Sequence, residues 1–195
     1  MIKLDVYSDY VCPWCYVAQG IVARLKREYE LEVDWKPFFL HSEVPDEGIP
    51  IRGQLLQRFA GLFNRLHNVA QDNGLSLVIP RILPNTRRCF EAAEYARKQN
   101  RHEDFHHIVF RMYYGEGLDI GQWEVLRKAA EEAGLNSDEM QQQTERGDFQ
   151  DILNERLNNA RAINIDVAPT FIVADKLRIE GVQSYSHFQR LLNRL

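Results

Sequence analysis

Two cysteines near the start of the chain have the spacing of a thiol pair that can do chemistry. Cys12 and Cys15 are separated by Pro13 and Trp14 in the segment VCPWCY. Such a CxxC pair is typical of redox centres, zinc sites, haem attachment sites and structural disulfides. A structural zinc site needs four ligands, and the sequence has no second CxxC and no Cys/His pair at a suitable spacing. A c-type haem attachment needs histidine where this chain has Tyr16, so redox chemistry is favoured.

The elements that flank the pair indicate how it is positioned. The segment IKLDVYS (2–8) predicts a strand, and apolar residues at helical spacing predict a helix from Pro13 to about Glu30. LEVDWKPFF (31–39) alternates as a second strand, in which Pro37 indicates an edge or a bend. Cys12 then lies at a helix N-terminus, where free N–H groups and the helix dipole stabilise a thiolate. Cys15, one turn later, is close enough to attack a mixed disulfide formed on Cys12.

The rest of the chain changes from helices back to strands. The spacing of apolar residues predicts helices over 51–73, 86–100, 102–114, 122–133, 137–146 and 148–163. After Pro169, TFIVA and LRIEG predict two strands joined by a tight hairpin at Asp175–Lys176. A closing helix is predicted from about Tyr185 to Leu195.

This order of elements predicts an α/β protein with a thioredoxin fold (β-α-β … β-β-α) and a large α-helical insertion. Residues 1–45 and 165–195 are expected to form one discontinuous thioredoxin-like domain. Residues 46–164 are expected to form the helical insertion, which includes a helix packed on the thioredoxin core.

Composition excludes several other classes of function. The formal charge of -4 and pI near 5.9 provide no basic surface, which argues against nucleic acid as a partner. No segment approaches the roughly 18 consecutive apolar residues of a membrane span. The start MIKLDVYSDY lacks the features of a secretory signal, so a cytoplasmic protein is expected. In the cytosol a close Cys pair is more often catalytic or metal-binding than structural.

Four segments resemble one known family. SDYVCPWCY (8–16), PNT (84–86), EGLDIG (116–121) and VAPTFIV (167–173) resemble the DsbA-like group of the thioredoxin superfamily. Within it the match is to the FrnE-like branch, which is related to 2-hydroxychromene-2-carboxylate isomerases and kappa-class glutathione transferases. The resemblance covers nearly the whole chain and implies a disulfide oxidoreductase with Cys12 as the nucleophile. It also implies a cis Ala168–Pro169 bond facing the Cys pair, which would present the Ala168 backbone to an extended substrate.

Further residues are expected around the substrate. Pro13 and Trp14 separate the two sulfurs, and Trp14 either shapes the surface around Cys12 or only covers the helix surface. In the resembling family the helix that opens at Asn85–Thr86 lies beside the active site. We therefore expect Asn85 and Arg87 to contact substrate, with Arg87 or Arg88 meeting an anionic group such as a glutathione carboxylate.

The proton acceptor for Cys15 is left open by the sequence. No carboxylate lies six residues before Cys12, where the chain has Val6. Asp5 and Asp9 are both nearby, and either could accept the proton. Asp9 could equally be a turn residue that orients the loop.

Two other patterns are interpreted as structural. HEDFH (102–106) matches the HExxH metalloprotease motif, but its longer form would need Gly and His where the chain has Val109 and Met112. The two histidines are therefore interpreted as partly buried boundary residues, and no metal site is expected. Cys89 falls on the apolar side of its helix and is interpreted as a core thiol.

Three functions are consistent with these features. The first is a thiol–disulfide oxidoreductase acting on a protein or small-molecule substrate, and retention of both Cys12 and Cys15 favours it. The second is a glutathione-dependent isomerase or transferase acting on a small aromatic substrate. The third is a binding module or chaperone that uses the groove beside Trp14 and Pro169. No resident cofactor is expected, although glutathione could be a co-substrate, and the protein is expected to be a monomer or homodimer.

Overall fold

A computed structural model describes all 195 residues of the chain and contains two β-sheets. The six strands are β1 (Ile2–Ser8), β2 (Leu31–Pro37), β3 (Ile49–Pro50), β4 (Ile82–Leu83), β5 (Thr170–Val173) and β6 (Leu177–Glu180). The main sheet has the order β2-β1-β5-β6, with β1 parallel to β2 and antiparallel to β5. The strands β3 and β4 form a separate antiparallel pair. The first and last segments of the chain therefore build one sheet.

Helices account for most of the remaining chain. They are α1 (Pro13–Glu28), α2 (Gly53–Asp72), α3 (Arg87–Lys98), α4 (His102–Phe110), α5 (Trp123–Glu132), α6 (Ser137–Glu145), α7 (Gln150–Ala162) and α8 (Tyr185–Leu192), with a π-helical turn at Arg111–Gly115. None of these helices is long and apolar enough to cross a membrane.

The two faces of the main sheet are covered by different helices. Side chains alternate between the faces of a strand, so Leu4, Val6 and Ser8 share one face of β1 while Asp5 and Tyr7 share the other. Leu4 and Val6 pack in one buried cluster with residues of α1 and α8. Tyr7 packs in another cluster with Ala160 of α7 and with the residues that follow α7. Both faces of β1 are therefore buried, and each face has its own set of neighbours.

A second and larger core lies between α1 and the inserted helices. It brings Tyr10 to Tyr16 together with apolar side chains of α3, α4, α5 and α7. Its centre is aromatic: the ring centroids of Tyr10 and Phe110 are 5.2 Å apart, and those of Tyr16 and Tyr114 are 5.4 Å apart. The N-terminal end of α1 is thus held by the insertion, while its C-terminal half packs on the sheet.

The predicted fold class is confirmed: the chain has a thioredoxin-like fold with an inserted set of helices. The division into segments 1–45 and 165–195 against 46–164 stays a prediction. Pro37 ends β2, which is an edge strand of the main sheet, as its position in the sequence indicated.

Three local details differ from the sequence-based predictions. The sequence did not indicate the short β3 and β4 strands, because two residues carry no periodic pattern. The predicted helix over 102–114 changes to a π-turn at Arg111. The hairpin turn is centred one residue earlier than predicted, because Ala174 and Asp175 are the residues with positive φ.

Candidate active site

Cys12 is the N-cap residue of α1, in the position that the sequence predicted. Its backbone is extended, with φ -92° and ψ 109°, and its carbonyl oxygen accepts the first helical hydrogen bonds, from the N–H groups of Cys15 and Tyr16. Pro13 occupies the first turn of α1. The N–H groups of this turn have no partner within the helix, so proline removes no helical hydrogen bond there. Both Cys12 and Cys15 are free thiols and are buried. The start of α1 therefore presents two thiols on one helical turn.

The loop before β5, which is near the other end of the chain, contacts this turn. The Cys12 thiol donates to the Ala168 carbonyl oxygen over 3.4 Å. The Ala168–Pro169 peptide bond is cis, as the family resemblance implied. The Pro169 carbonyl in turn accepts from the Gly181 N–H over 2.8 Å, which ties the loop to the end of β6. Residues far apart in sequence thus meet at the Cys12 sulfur.

Cys15 has a more enclosed environment than Cys12. Its side chain is wholly buried, and burial is the largest of the influences that hold the pKa of its thiol well above the ordinary value. Contact with the Cys12 thiol also raises this pKa, whereas the Asp9 backbone N–H and the Ser8 hydroxyl lower it. Cys15 is therefore held as a neutral thiol in the reduced protein, and Ser8 and Asp9 are the neighbours that favour its ionised form.

Asp9 anchors the loop that precedes Cys12. Its carboxylate oxygens accept from the Val11 N–H, from the Leu40 N–H at 2.6 Å and from the Thr86 hydroxyl at 2.9 Å. Complete burial raises the pKa of this carboxyl to about 6, although the three hydrogen bonds lower it. The Asp9 side chain joins β1, the loop after β2 and the start of α3, which is the turn-residue role that the sequence left open.

Asp5 lies on the wrong face of β1 to serve Cys15. It alternates with Leu4 and Val6, which pack in one cluster with α1, so its carboxylate points to the opposite face. There it accepts from Lys36 over 2.7 Å. Of the two carboxylates weighed as proton acceptors, Asp5 is therefore excluded by its place in the sheet.

Trp14 lies at the edge of an open groove. The groove is about 340 Å³ in volume and is lined by Trp14, by Val69 of α2 and by Val182 and Tyr185 at the start of α8, among other residues. The Trp14 side chain is half-buried and packs against the apolar cluster of α1 and α2. An apolar surface thus adjoins the N-terminal turn of α1.

Asn85, Arg87 and Arg88 are engaged with other parts of the protein. The Asn85 side chain donates to the Val44 carbonyl and accepts from the Arg87 N–H, so both of its polar ends are used. The Arg87 guanidinium pairs with Glu91 at 3.0 Å, and that of Arg88 donates to the Gly121 carbonyl.

These three residues also border a different opening from the groove beside Trp14. They line a polar cleft of about 400 Å³ in which none of Cys12, Trp14, Ala168 and Pro169 takes part. The structure thus brings Cys12, Cys15, Ala168 and Pro169 together. Asn85 and Arg87 have partners in the protein and line a separate cleft, and their contact with substrate stays a prediction.

The HEDFH segment forms part of the aromatic core. His106 stacks on Trp35 with ring centroids 4.4 Å apart, and His102 accepts from Arg97 at 3.1 Å. Burial lowers the pKa of His106 well below its ordinary value and that of His102 to about 3. Both rings are thus neutral. His106 is buried, deeper than the boundary position that the sequence indicated, whereas His102 is partly buried as predicted.

Sequence reasoning missed two residues near the site. Ser8 ends β1 on the face shared by Leu4 and Val6, which pack with α1, and the Tyr114 hydroxyl donates to the Val11 carbonyl over 2.5 Å. The alternation of β1 could have placed Ser8 on the face of Leu4 and Val6. No local signal pointed to Tyr114, because 103 residues separate it from Val11.

Comparison with known proteins agrees with this geometry. A model of the DSBA-like thioredoxin domain family matches residues 3–193. The chain is 27% identical to an uncharacterized protein of Bacillus subtilis, YwbO, over 98% of its own length and 96% of that protein. It is 25% identical to a 2-hydroxychromene-2-carboxylate isomerase of Sphingobium xenophagum, over 69% of this chain and 70% of the isomerase.

Among solved structures, a probable DsbA oxidoreductase from Streptomyces coelicolor superimposes with a TM-score of 0.90 and 19% identity. The match covers 100% of this chain and 89% of that structure. At this level of identity the likeness establishes a shared fold.

Proposed function

The chain belongs to the DSBA-like thioredoxin domain family, and from this premise we propose that it is a thiol–disulfide oxidoreductase. Cys12 acts as the nucleophile and Cys15 resolves the mixed disulfide. The observation that carries the proposal is the pair of free thiols at the start of α1, with the Cys12 sulfur 3.4 Å from the Ala168 carbonyl oxygen.

The first step is attack of the Cys12 thiolate on a substrate disulfide. The N–H groups in the first turn of α1 and the positive end of the helix dipole favour an anion at this position. No acidic residue lies in that turn to oppose it. A bond forms between Cys12 and one substrate sulfur, the substrate S–S bond breaks, and the other sulfur leaves as a thiolate.

The second step closes the cycle within α1. The Cys15 sulfur attacks Cys12 in the mixed disulfide, the Cys12–substrate bond breaks, and the substrate departs as a thiol. The Cys12–Cys15 pair loses two electrons and becomes a disulfide, and the substrate disulfide gains them. In the opposite direction, the same pair would oxidise a dithiol substrate.

The loop at Ala168 and Pro169 is proposed to hold the substrate. An extended substrate backbone beside this loop can pair with the Ala168 carbonyl, which lies against the reactive sulfur. Pro13 and Trp14 complete the surface, with the groove beside Trp14 available to apolar side chains. Protein disulfides and small disulfides both satisfy this arrangement.

We include glutathione as a co-substrate and a cytosolic location in the proposal. A reducing compartment favours reduction or thiol exchange over net oxidation. Monomer and homodimer are both compatible with the site, because every proposed residue comes from one chain.

A second candidate function is a glutathione-dependent isomerase or transferase. The similarity to a 2-hydroxychromene-2-carboxylate isomerase favours it. Such chemistry needs only a sulfur or hydroxyl nucleophile, so Cys15 would be dispensable. The oxidoreductase is ranked first because it uses both Cys12 and Cys15, and the chain has both thiols on one turn.

A redox titration against glutathione tests the proposal. The reduced protein is equilibrated with mixtures of reduced and oxidised glutathione, alkylated, and analysed by mass, with Cys12→Ser and Cys15→Ser as comparisons. We expect one reversible Cys12–Cys15 disulfide in the unaltered protein and a glutathione adduct on Cys12 that accumulates in Cys15→Ser. If no Cys12–Cys15 disulfide forms, and if activity on small electrophiles is unchanged in Cys15→Ser, the isomerase or transferase is favoured instead.

A further inference from the structure

A large cavity lies beside the middle of α1, and none of the residues proposed for the thiol chemistry lines it. Its volume is about 680 Å³, within the range of about 300–1,000 Å³ that is usual for small-molecule sites. Three parts of the chain form its walls: one face of α1, the segment Asp72–Ser76 at the end of α2, and the last turn of α4 with Arg111. The proposed function assigns no role to this space.

Contacts between α1 and the end of α2 fix the shape of the cavity. Gly20 of α1 faces Asn73, and a Cβ atom at position 20 would come within 2.8 Å of the Asn73 Cβ. The Tyr16 hydroxyl donates to the Ser76 carbonyl over 2.7 Å, which ties the segment after α2 to α1. The walls are therefore held by packing and hydrogen bonding, and the space between them is formed before any ligand binds.

Three guanidinium groups line the cavity. Arg24 and Arg27 are three residues apart on one face of α1, and Arg111 belongs to the wall formed by α4. The charge of Arg111 is balanced by Glu116 and by Glu132, whose two oxygens lie 2.6 and 2.5 Å from the Arg111 Nη2. Neither of these carboxylates lines the cavity. Arg111 is thus held in place, and the excess charge comes from α1.

Arg24 and Arg27 have no carboxylate partner in the protein. The Arg24 guanidinium instead lies over the Tyr185 ring, 4.0 Å from its centroid. This contact uses the flat face of the guanidinium and leaves N–H groups at its edge available to an anion. Asp72 is the one carboxylate in the lining, so two unpaired cations share the cavity with a single anion.

A buried amide adds a neutral hydrogen-bond donor to the same space. Gln19 lines the cavity although it is only 5% exposed. Its Oε1 accepts from His107 Nδ1 over 2.6 Å, which orients the amide, and no protein group accepts from its Nε2. A buried donor without an acceptor is destabilising, so the Gln19 amide favours an oxygen-bearing ligand in the cavity.

We propose that this cavity binds a small organic anion that has an apolar body. Its carboxylate or phosphate group is held by Arg24 and Arg27, and one of its oxygens accepts from the Gln19 amide. Its body packs on the apolar side chains of the lining, which are Tyr16, Leu75 and Ile108. The site is separate from the thiol chemistry and does not depend on the proposed oxidoreductase function.

The lining requires both parts of such a ligand. Partly exposed guanidinium groups alone hold an anion weakly, because water and salt screen the attraction. The apolar side chains add affinity only for a ligand that has apolar surface to bury. An organic acid therefore fits the cavity better than either an inorganic anion or a neutral apolar molecule.

Three matched probes test the proposal. Naphthalene-2-carboxylate has the charge and the apolar body, naphthalene-2-carboxamide has the body alone, and inorganic phosphate has the charge alone. Each is titrated into the protein, and binding is followed by calorimetry and by NMR of the labelled backbone. We expect the carboxylate to bind with a Kd below about 1 mM and at least about tenfold more tightly than the other two probes.

Charge variants at the cavity should change this affinity in opposite directions. The double variant Arg24→Gln, Arg27→Gln should weaken binding of the carboxylate by about tenfold, because both unpaired cations are lost. Asp72→Asn should strengthen it by about twofold, because a repelling charge is removed. A matched control is Arg58→Gln, Arg65→Gln, which removes the same charge from exposed positions of α2 outside the cavity, and its affinity should stay within about twofold.

A variant that fills the cavity tests the location without a change of charge. Ala23 is exposed and lines the cavity, so Ala23→Phe places a ring in the space while the helix keeps its buried face. Binding of the carboxylate should be lost in this variant. Unchanged binding in Ala23→Phe would place the probe elsewhere and overturn the site.

The remaining outcomes also decide the proposal. Equal affinity for the carboxylate and the carboxamide, or equal losses in the two double variants, would overturn recognition of an anion at Arg24 and Arg27. Absence of binding up to about 10 mM carboxylate would overturn the site altogether. The same titration of Cys12→Ser should give an unaltered Kd, so a failure of the proposed thiol chemistry leaves this result in place.

Discussion

The chain places cysteines at the start of two different helices, and only one of these sites is suited to redox chemistry. Cys12 is the N-cap of α1, and Cys89 is the third residue of α3. By the dipole argument alone, both sulfurs lie where a helix favours an anion. Their surroundings differ, and the difference shows what a helix N-terminus does and does not determine.

The Cys89 thiol is enclosed and satisfied. It is 0% exposed and donates to the Ile120 carbonyl over 3.1 Å. Burial raises the pKa of this thiol strongly, and the nearby Asp9 carboxylate raises it further. Cys89 is therefore a core thiol, as the sequence indicated, despite its place near a helix start.

The Cys12 thiol instead has two reactive or binding groups beside it. Cys15 lies one turn away, and the Ala168 carbonyl faces the sulfur at 3.4 Å. Asp9 lies between the two thiol sites, since it fixes the loop before Cys12 and accepts from Thr86, the N-cap of α3. The comparison teaches that neighbours from distant segments, rather than the helix end, separate a redox thiol from a core thiol.

The largest expected effect is on activity at the two thiol sites. Cys12→Ser should lower disulfide-reductase activity by about a thousandfold or more, because the nucleophile is lost. Cys89→Ala should leave activity near the unaltered value, because Cys89 contacts neither Cys12 nor the Ala168 loop. The rate at which each pre-reduced protein reduces oxidised glutathione in a single turnover measures both, and comparable losses in the two variants would contradict the difference between Cys12 and Cys89.

The next effect concerns the pH dependence of stability through Asp9. Its pKa is about 6 in the folded protein against an ordinary value of 3.8, so folding favours the protonated carboxyl. Stability from this group is therefore greatest below about pH 4 and falls as pH rises to about 6, by about 2–3 kcal/mol in all. Urea unfolding from pH 4 to 7 should show this fall in the unaltered protein and a smaller one in Asp9→Asn. If the free energy of unfolding falls equally with pH in both proteins, Asp9 is not the cause of the fall.

A smaller effect is expected on stability at the core thiol. Cys89→Ala removes the donor to the Ile120 carbonyl and leaves a small void, which should lower the free energy of unfolding by about 1–2 kcal/mol. Cys89→Ser keeps a donor and tests the hydrogen bond apart from the void. Denaturant unfolding measures both, and an unchanged midpoint in Cys89→Ala would show that the site is not packed as described.

The smallest effect is expected at Arg87 and Arg88. Both guanidinium groups have partners in the protein, and they line a cleft apart from Cys12. The double variant Arg87→Gln, Arg88→Gln should therefore change the KM for glutathione by less than about threefold, since no charge contact to substrate is lost. A tenfold rise in KM with kcat unchanged would instead place an anionic substrate group at these arginines.

The sequence by itself determined the order of elements and the thiol pair. Alternation and helical spacing are local patterns, so β1, α1, β2 and the closing β-β-α unit could be placed to within a few residues. The CxxC spacing is also local, because two residues on one helical turn are neighbours in any fold that keeps the helix.

Tertiary structure alone decided which polar groups surround the thiols. The Ala168 carbonyl accepts from Cys12 across 156 residues of chain, and the Ile120 carbonyl accepts from Cys89 across 31 residues, so no local pattern links these groups. The Arg87 guanidinium also donates to the Asn154 side chain of α7 over 3.1 Å, a contact that no spacing within α3 predicts. Side-chain environments depend on contacts between distant segments, whereas elements depend on neighbours in sequence, and this is the physical reason for the difference.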